Sequence, residues 1–277
     1  MSAQPIDRTL ACVVAATLTT RGRAAGAAAY VPHGGLQGVV IAEGLGSGSR
    51  ARRAALLAVY EAVAWLRDRA EHFGPRSFLR LFAHVHGELR SFAREQAGGG
   101  ASATLLVAVD TGEELAAAYA GDGAIWHMRG NLDDPSPNPG SAVNLLGAHG
   151  KLRDVVDAAR EAPPVPTVVT VSKDARFGDI LILCTGGIYS ADPVRHGIHQ
   201  ALRDLFAAWD GVGELPLKPA LEACLAGLRT RGIVEADATL GVLVTAEALR
   251  HHRRTRAGRD EAHEGRLSRR PRSVFGA

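Results

Sequence analysis

The order of its predicted elements constrains the fold of this chain more than any other feature. Short apolar runs typical of buried strands fall into groups, and pairs of longer stretches with helical spacing separate those groups. The order is strands, two helices, strands, two helices and a final strand. Long helix pairs between runs of antiparallel strands predict an α+β fold in which helices cover the sheets.

The individual predictions follow from periodicity and from turn residues. Strands are expected at 9–19, 27–31, 39–42, 103–109, 114–120, 124–128, 168–171, 180–184 and 239–245. Helices are expected at 49–70, with Ser49 as a possible N-cap, from Pro75 onward, at 193–209 and at 217–231, with some helix between 149 and 162. The clearest helical signal is an apolar stripe of Phe78, Phe82, Val85, Leu89 and Phe92. Tight turns between the first three strands predict an antiparallel meander.

Charge is distributed unevenly along the chain. The formal net charge is +3, but residues 250–277 hold nine Arg against three acids and so carry +6. Residues 1–249 therefore carry −3, which does not indicate a nucleic-acid-binding core. We predict one folded domain at 1–249 and a basic, disordered tail at 250–277. Contact of this tail with nucleic acid or an anionic membrane is the less favoured alternative.

Other features bear on the compartment. No apolar run approaches the ~20 residues of a membrane span, and the first residues lack the basic stretch of a secretory signal. Cys12, Cys184 and Cys224 lie in apolar contexts without metal-ligand spacing. They are predicted to be reduced core residues of a cytoplasmic protein.

The stretch from Val39 to Arg50 is the first candidate site. An apolar run ends in the carboxylate of Glu43, and a turn containing Gly44, Gly46 and Gly48 leads into the first helix. Glycines let a ligand approach the main chain, so the acid and the turn could form a metal or phosphate site. The alternative is a strand-to-helix turn with a solvated Glu.

A second candidate is the Asp122 carboxylate between two strands. The sequence Gly121-Asp122-Gly123 interrupts an apolar region and places one acid at a bend. An Asp at such a position is either an ordinary β-turn residue or part of a site, and the local pattern leaves both readings open.

Taken together, four short motifs resemble the metal-dependent protein phosphatase family (PPM, or protein phosphatase 2C) over residues 9–246. The family's Asp-Gly-x-Gly corresponds to Glu43-Gly44-Leu45-Gly46, and its Gly-Asp-Ser corresponds to Gly121-Asp122-Gly123. Its Ser-Asp-Gly corresponds to Thr185-Gly186-Gly187, and its Asp-Asn corresponds to Asp237-Ala238. The resemblance implies a four-layer α/β/β/α sandwich of two antiparallel sheets flanked by helix pairs. It also implies a site at one end, between the sheets.

The departures from the family pattern concern the metal centre. In the family, a cluster of carboxylates holds two Mn²⁺ or Mg²⁺ ions, whose charge requires several acids nearby. The resemblance places Ala27, Ala28 and Gly186 at three positions where the family has acids, and Glu43 where it has a bridging Asp. Asp237 keeps its family identity. The remaining candidate ligands are Glu43, Gly44 and Asp237, with Asp122 at the position of a third, weaker ion.

These departures predict a pseudophosphatase that acts as a regulatory or phosphoprotein-binding module, with Mn²⁺ or Mg²⁺ bound weakly or not at all. Arg23 resembles the family arginine that contacts phosphate, and it could act together with the turn at 44–48. A phosphoprotein or a protein kinase is the expected partner. The alternative is an active phosphoserine/phosphothreonine phosphatase with an atypical or single-metal site that uses Glu43, Asp122, Asp237 and Arg23.

Overall fold

The computed structural model describes residues 12–18, 26–33, 35–46, 48–70, 73–96, 100–132, 143–144, 155–189, 192–212, 214–234 and 237–268. The strands are β1 Cys12–Leu18, β2 Gly26–His33, β3 Leu36–Gly44, β4 Ser102–Asp110, β5 Leu115–Ala120, β6 Gly123–Arg129, β7 Val143–Asn144, β8 Val156–Asp157, β9 Thr167–Val171, β10 Asp179–Thr185 and β11 Ala238–Val244. The helices are α1 Ser49–Asp68, α2 Ser77–Glu95, α3 Gly186–Tyr189, α4 Asp192–Ala208, α5 Leu217–Thr230 and α6 Ala246–Ser268.

These elements form the predicted α+β sandwich. One antiparallel sheet has the order β1-β11-β10-β6-β7, and the other has the order β2-β3-β4-β5-β9, with β8 paired to β4. A central apolar layer, which includes Ile41, Leu106 and Leu183, lies between the sheets. Separate apolar layers join α1 and α2 to the second sheet and α4 and α5 to the first. The four-layer arrangement is therefore confirmed.

The helices on the second sheet follow their sequence patterns closely. In α2, Phe78, Phe82, Val85 and Leu89 are fully buried, as the apolar stripe predicted. The helix α1 begins at Ser49, whereas Gly48 occupies the N-cap and no side chain caps the helix. The prediction of Ser49 as N-cap is therefore wrong by one residue.

The strand pairing differs from the predicted meander. β1 pairs with β11 in the first sheet, whereas β2 and β3 pair with each other in the second. An apolar pattern shows that a strand is buried, but it does not specify which of two stacked sheets the strand joins. The helix expected between 149 and 162 is also contradicted where the structure describes that segment, because β8 occupies Val156–Asp157 there.

The C-terminal segment forms a helix where disorder was predicted. α6 continues to Ser268, and residues 269–277 lie outside the described part of the chain. Its first half packs on the domain through buried Ala248, Leu249 and His252. The His252 ring stacks on Trp209 at 5.6 Å between centroids. These tertiary contacts hold a helix whose own sequence is polar on all sides. No helix in the described ranges is long and apolar enough to cross a membrane.

Candidate functional site

The sequence-predicted acids lie at one end of the sandwich. Glu43 is the next-to-last residue of β3, and Asp122 lies between β5 and β6. Asp237 directly precedes β11, which is paired with β10 in the opposite sheet. Gly186 directly follows β10. The fold therefore brings together four positions that are far apart in the sequence.

The side chain of Glu43 connects the two sheets at this end. Its carboxylate accepts hydrogen bonds from the Thr185 hydroxyl and from the main-chain N–H of Gly186. The main-chain N–H of Glu43 donates to Thr104 Oγ1 at 3.2 Å. Thr185 Oγ1 in turn accepts the N–H of Thr239 at 3.0 Å. Glu43 is thus held by the chain's own donors.

Sequence reasoning missed the contribution of these two threonines. Thr104 and Thr185 are 1% and 0% exposed, although each carries a hydroxyl. Buried hydroxyls require hydrogen-bond partners, so a Thr at the end of an otherwise apolar strand is the signal that could have identified them. The sequence alone could not show that both would meet Glu43.

The carboxylates at this end influence one another. Burial raises the pKa of Glu43, and the negative charges of Asp237 and Asp122 raise it further, while the hydrogen bonds from Thr185 and Gly186 oppose the change. Burial also raises the pKa of Asp122. The three acids therefore form one electrostatically coupled cluster.

Two glycines at this end are required by the packing. A Cβ on Gly44 would lie 1.8 Å from the main-chain oxygen of Ala51, so only glycine allows α1 to approach the end of β3 this closely. Gly121 has φ +97°, and a Cβ there would lie 2.7 Å from Thr104 Cγ2. Packing alone accounts for glycine at 44, and a ligand role for this residue stays a prediction.

The glycine turn borders a cavity of about 580 Å³. Gly46 and Gly48 have positive φ and line this cavity together with Ser49, Arg50 and Ser102. The first turn of α1 contains no acid. Basic side chains and the partial positive charge of a helix N-terminus both favour an anion over a cation.

Three positions have Ala or Gly where the family has acids, and their surroundings differ from one another. A Cβ on Gly186 would meet Asp122 Cβ at 3.5 Å, an ordinary contact, so the site has room for a side chain. Ala27 and Ala28 lie on β2 opposite Ala42 and Ile41. Arg23 lies outside the described residues.

The acids at this end determine whether a two-ion centre can form here. Across the residues that the structure describes, no group of three or more His, Cys, Asp or Glu side chains is arranged to hold a metal ion. Two close divalent cations need several carboxylates free to face them. Here one of the three coupled acids, Glu43, is already hydrogen-bonded to Thr185 and Gly186.

Comparison with known proteins agrees with the fold described above. A family model described as protein phosphatase 2C matches residues 26–226. No curated protein matches the chain.

Several solved structures share the fold. The catalytic domain of the serine/threonine protein phosphatase PstP in complex with two manganese ions is 17% identical, with a TM-score of 0.60 over 84% of this chain and 97% of that one. A serine/threonine phosphatase from S. agalactiae is 12% identical, with a TM-score of 0.60 over 84% and 98%. RsbX in complex with magnesium is 11% identical, with a TM-score of 0.54 over 84% and 94%. At these identities the likeness establishes the fold.

Proposed function

Because the chain belongs to the protein phosphatase 2C family, we propose that it is a pseudophosphatase that binds phosphoproteins and takes part in signalling without hydrolysing them. The observation that carries this proposal is the hydrogen bonding of Glu43 to Thr185 and Gly186. Where a pair of metal ions would need an unengaged bridging carboxylate, this chain has one held by internal donors. Among the described residues, the other acids of this cluster are Asp122 and Asp237, which are too few to neutralise two divalent cations.

The same end of the molecule retains features suited to phosphate. Gly46 and Gly48 open the turn, and Arg50 lines the adjoining cavity. Arginine binds phosphate oxygens through a planar, bidentate guanidinium group. Arg23, from the stretch before β2, is proposed as a second phosphate contact. A phosphorylated protein or a protein kinase is therefore the proposed partner.

The alternative function is a phosphoserine/phosphothreonine phosphatase with an atypical, single-metal site. The electrostatic coupling of Glu43 with Asp122 and Asp237 supports it, because clustered negative charge is what a bound cation would relieve. Solved members of the fold include serine/threonine phosphatases. This alternative predicts metal-dependent hydrolysis that disappears in Glu43→Ala.

The proposal includes a cytoplasmic location. Within the described residues, Cys184 and Cys224 are free thiols. Burial raises the pKa of Cys184 to about 12, which keeps this thiol protonated and unreactive. Free thiols are typical of proteins in reducing compartments.

Parallel binding and hydrolysis assays on the full chain test the proposal. A fluorescent phosphothreonine peptide is expected to bind at least about tenfold more tightly than its unphosphorylated form, because of charge-assisted hydrogen bonds worth ~1.5–3 kcal/mol. Arg23→Ala should weaken this binding, whereas Arg21→Ala, a matched control in the same stretch, should not. In the presence of Mn²⁺, phosphate release by the wild-type chain should equal phosphate release by Glu43→Ala. Metal-dependent release that Glu43→Ala abolishes would overturn the proposal in favour of the alternative.

A further inference from the structure

An apolar groove runs along the exposed side of α1, beside the edge of the second sheet. It has a volume of about 420 Å³, and Val59, Val63 and Ala29 contribute to its lining. Leu56 and Tyr60, which also line it, are 49% and 69% exposed. Large apolar side chains that remain this exposed next to each other typically mark an interaction site.

The position of the groove suits an extended peptide. β2 is the outermost strand of its sheet in the described part of the chain, and it pairs with β3 on its inner side. Leu56 and Tyr60 are one turn apart on α1, a rise of about 6 Å. Side chains at alternate positions of an extended strand are about 6.6 Å apart on the same face. Two such side chains would therefore match the spacing of Leu56 and Tyr60.

Charge at the two ends of the groove restricts the ligand further. Arg52 and Arg53 are exposed one helical turn before Leu56, and Arg67 is exposed at the other end. Among the described residues, no ion pair involves these three guanidinium groups. Asp68 is the acid in the groove lining. The ends therefore favour acidic residues on both sides of an apolar centre.

We propose that this groove binds an extended segment of the partner protein, with two apolar residues at alternate positions and acidic residues on both sides. The segment would add to the edge of β2 while its apolar side chains contact Leu56 and Tyr60. Leu56 lies seven residues after the start of α1, about 10 Å from the glycine turn. Three extended residues span that distance. This inference rests on the proposed function, because it gives the phosphoprotein partner a second contact beside the phosphate.

The test uses the full chain and a display library of unphosphorylated random peptides of about ten residues. Peptides with the stated pattern should be selected and then bind, as fluorescein-labelled synthetic copies, with Kd below about 100 μM. Tyr60→Glu and Leu56→Glu should each weaken the binding of these peptides at least about tenfold. Each substitution removes an apolar anchor and places a negative charge that repels the acidic ends of the peptide. Leu79→Glu is the matched control: this α2 residue is 48% exposed and is not part of the groove lining. It should change affinity less than about twofold.

Charge reversal gives an independent readout. Arg67→Glu should weaken the binding of peptides with acidic ends by roughly fivefold. It should improve the binding of otherwise identical peptides whose acidic ends are replaced by Lys. Selected peptides that bind Leu56→Glu and wild type equally would overturn the proposal, as would the absence of any pattern-bearing binder. Inorganic phosphate should not displace these peptides. If none of the unphosphorylated peptides binds as expected while the phosphothreonine peptide still binds, the groove inference alone is wrong.

Discussion

Replacing Asp179 with asparagine is expected to destabilise the protein by about 3 kcal/mol at neutral pH. The Asp179 side chain is fully buried at the start of β10, at the end of the sandwich opposite Glu43. Its Oδ1 accepts hydrogen bonds from His127 Nε2 at 2.8 Å and Arg129 Nη1 at 2.5 Å. Its Oδ2 accepts the main-chain N–H of Asp174 at 2.8 Å. The carboxylate thus satisfies three donors at once.

The magnitude follows from what asparagine cannot do. Its amide has one oxygen, so the NH₂ group of Asn at 179 must face at least one of the three donors. A buried donor without an acceptor costs about 1–3 kcal/mol, and the remaining bonds lose charge assistance. Arg129 is 40% exposed, so solvent screens its ion pair and reduces its share. A loss of about 3 kcal/mol corresponds to a fall in Tm of roughly 6–12 °C for a protein of this size.

The effect should depend on pH in one direction. Burial by itself would raise the pKa of Asp179, but hydrogen bonds from His127, Asp174 and Arg129 outweigh it and lower the pKa. A carboxyl whose pKa is lower in the folded state stabilises the protein above its unfolded pKa of about 3.9. That contribution is lost as the pH falls through the folded-state value. The contribution of this carboxyl to the difference between wild type and Asp179→Asn should therefore shrink as the pH falls below about 4.

Urea denaturation at several pH values measures this difference. Asp204→Asn is the control, because Asp204 is exposed and accepts a hydrogen bond from Gln200 on the same helix. It should change the free energy of unfolding by less than about 0.5 kcal/mol. A similarly small effect of Asp179→Asn, or a cost that grows as the pH falls below about 4, would refute the reasoning.

Three further predictions test the packing. Gly44→Ala should lower the free energy of unfolding by about 3 kcal/mol or prevent folding, because the added Cβ would overlap the main-chain oxygen of Ala51. Denaturation or soluble yield measures this effect, and a stable variant would contradict the packing. Gly186→Asp should fold with little change in Tm, since the added Cβ meets only Asp122 at 3.5 Å. Mn²⁺ should raise the Tm of this variant more than the Tm of wild type. An equal response of the two proteins would show that the added carboxylate does not reach the other acids. Removal of residues 250–277 should cost about 2–4 kcal/mol by calorimetry, because it removes His252, which stacks on Trp209, and the rest of α6 after Leu249. Removal of 269–277 should cost little, and equal stability of both truncations would contradict the α6 packing.

Much of the fold could be predicted from periodicity. The stripe from Phe78 to Phe92 and the apolar strand at 180–184 are local patterns, and the structure places both as expected. The partner of β1 could not be predicted, because pairing with β11 joins segments more than two hundred residues apart. α6 was missed because a polar helix has no apolar period, and contacts such as His252 on Trp209 hold it in place.

The site was predicted in its positions but not in its contacts. The motifs placed Glu43, Asp122 and Asp237 in a family pattern, and the structure brings them into one electrostatic cluster. The hydrogen bonds of Glu43 to Thr185 and Gly186 depend on how two sheets stack, which no single stretch of sequence encodes. The groove at Leu56 and Tyr60 was also missed, since an exposed apolar residue on a helix looks like a core residue in the sequence.

A calorimetric titration of the full chain with Mn²⁺ tests the central claim most directly, with Glu43→Ala as the control. The account predicts no binding tighter than about millimolar, and the same weak heats in both proteins, because Glu43 is engaged by Thr185 and Gly186. Two bound ions, or one at micromolar affinity that Glu43→Ala abolishes, would contradict the account and indicate an active metal-dependent phosphatase.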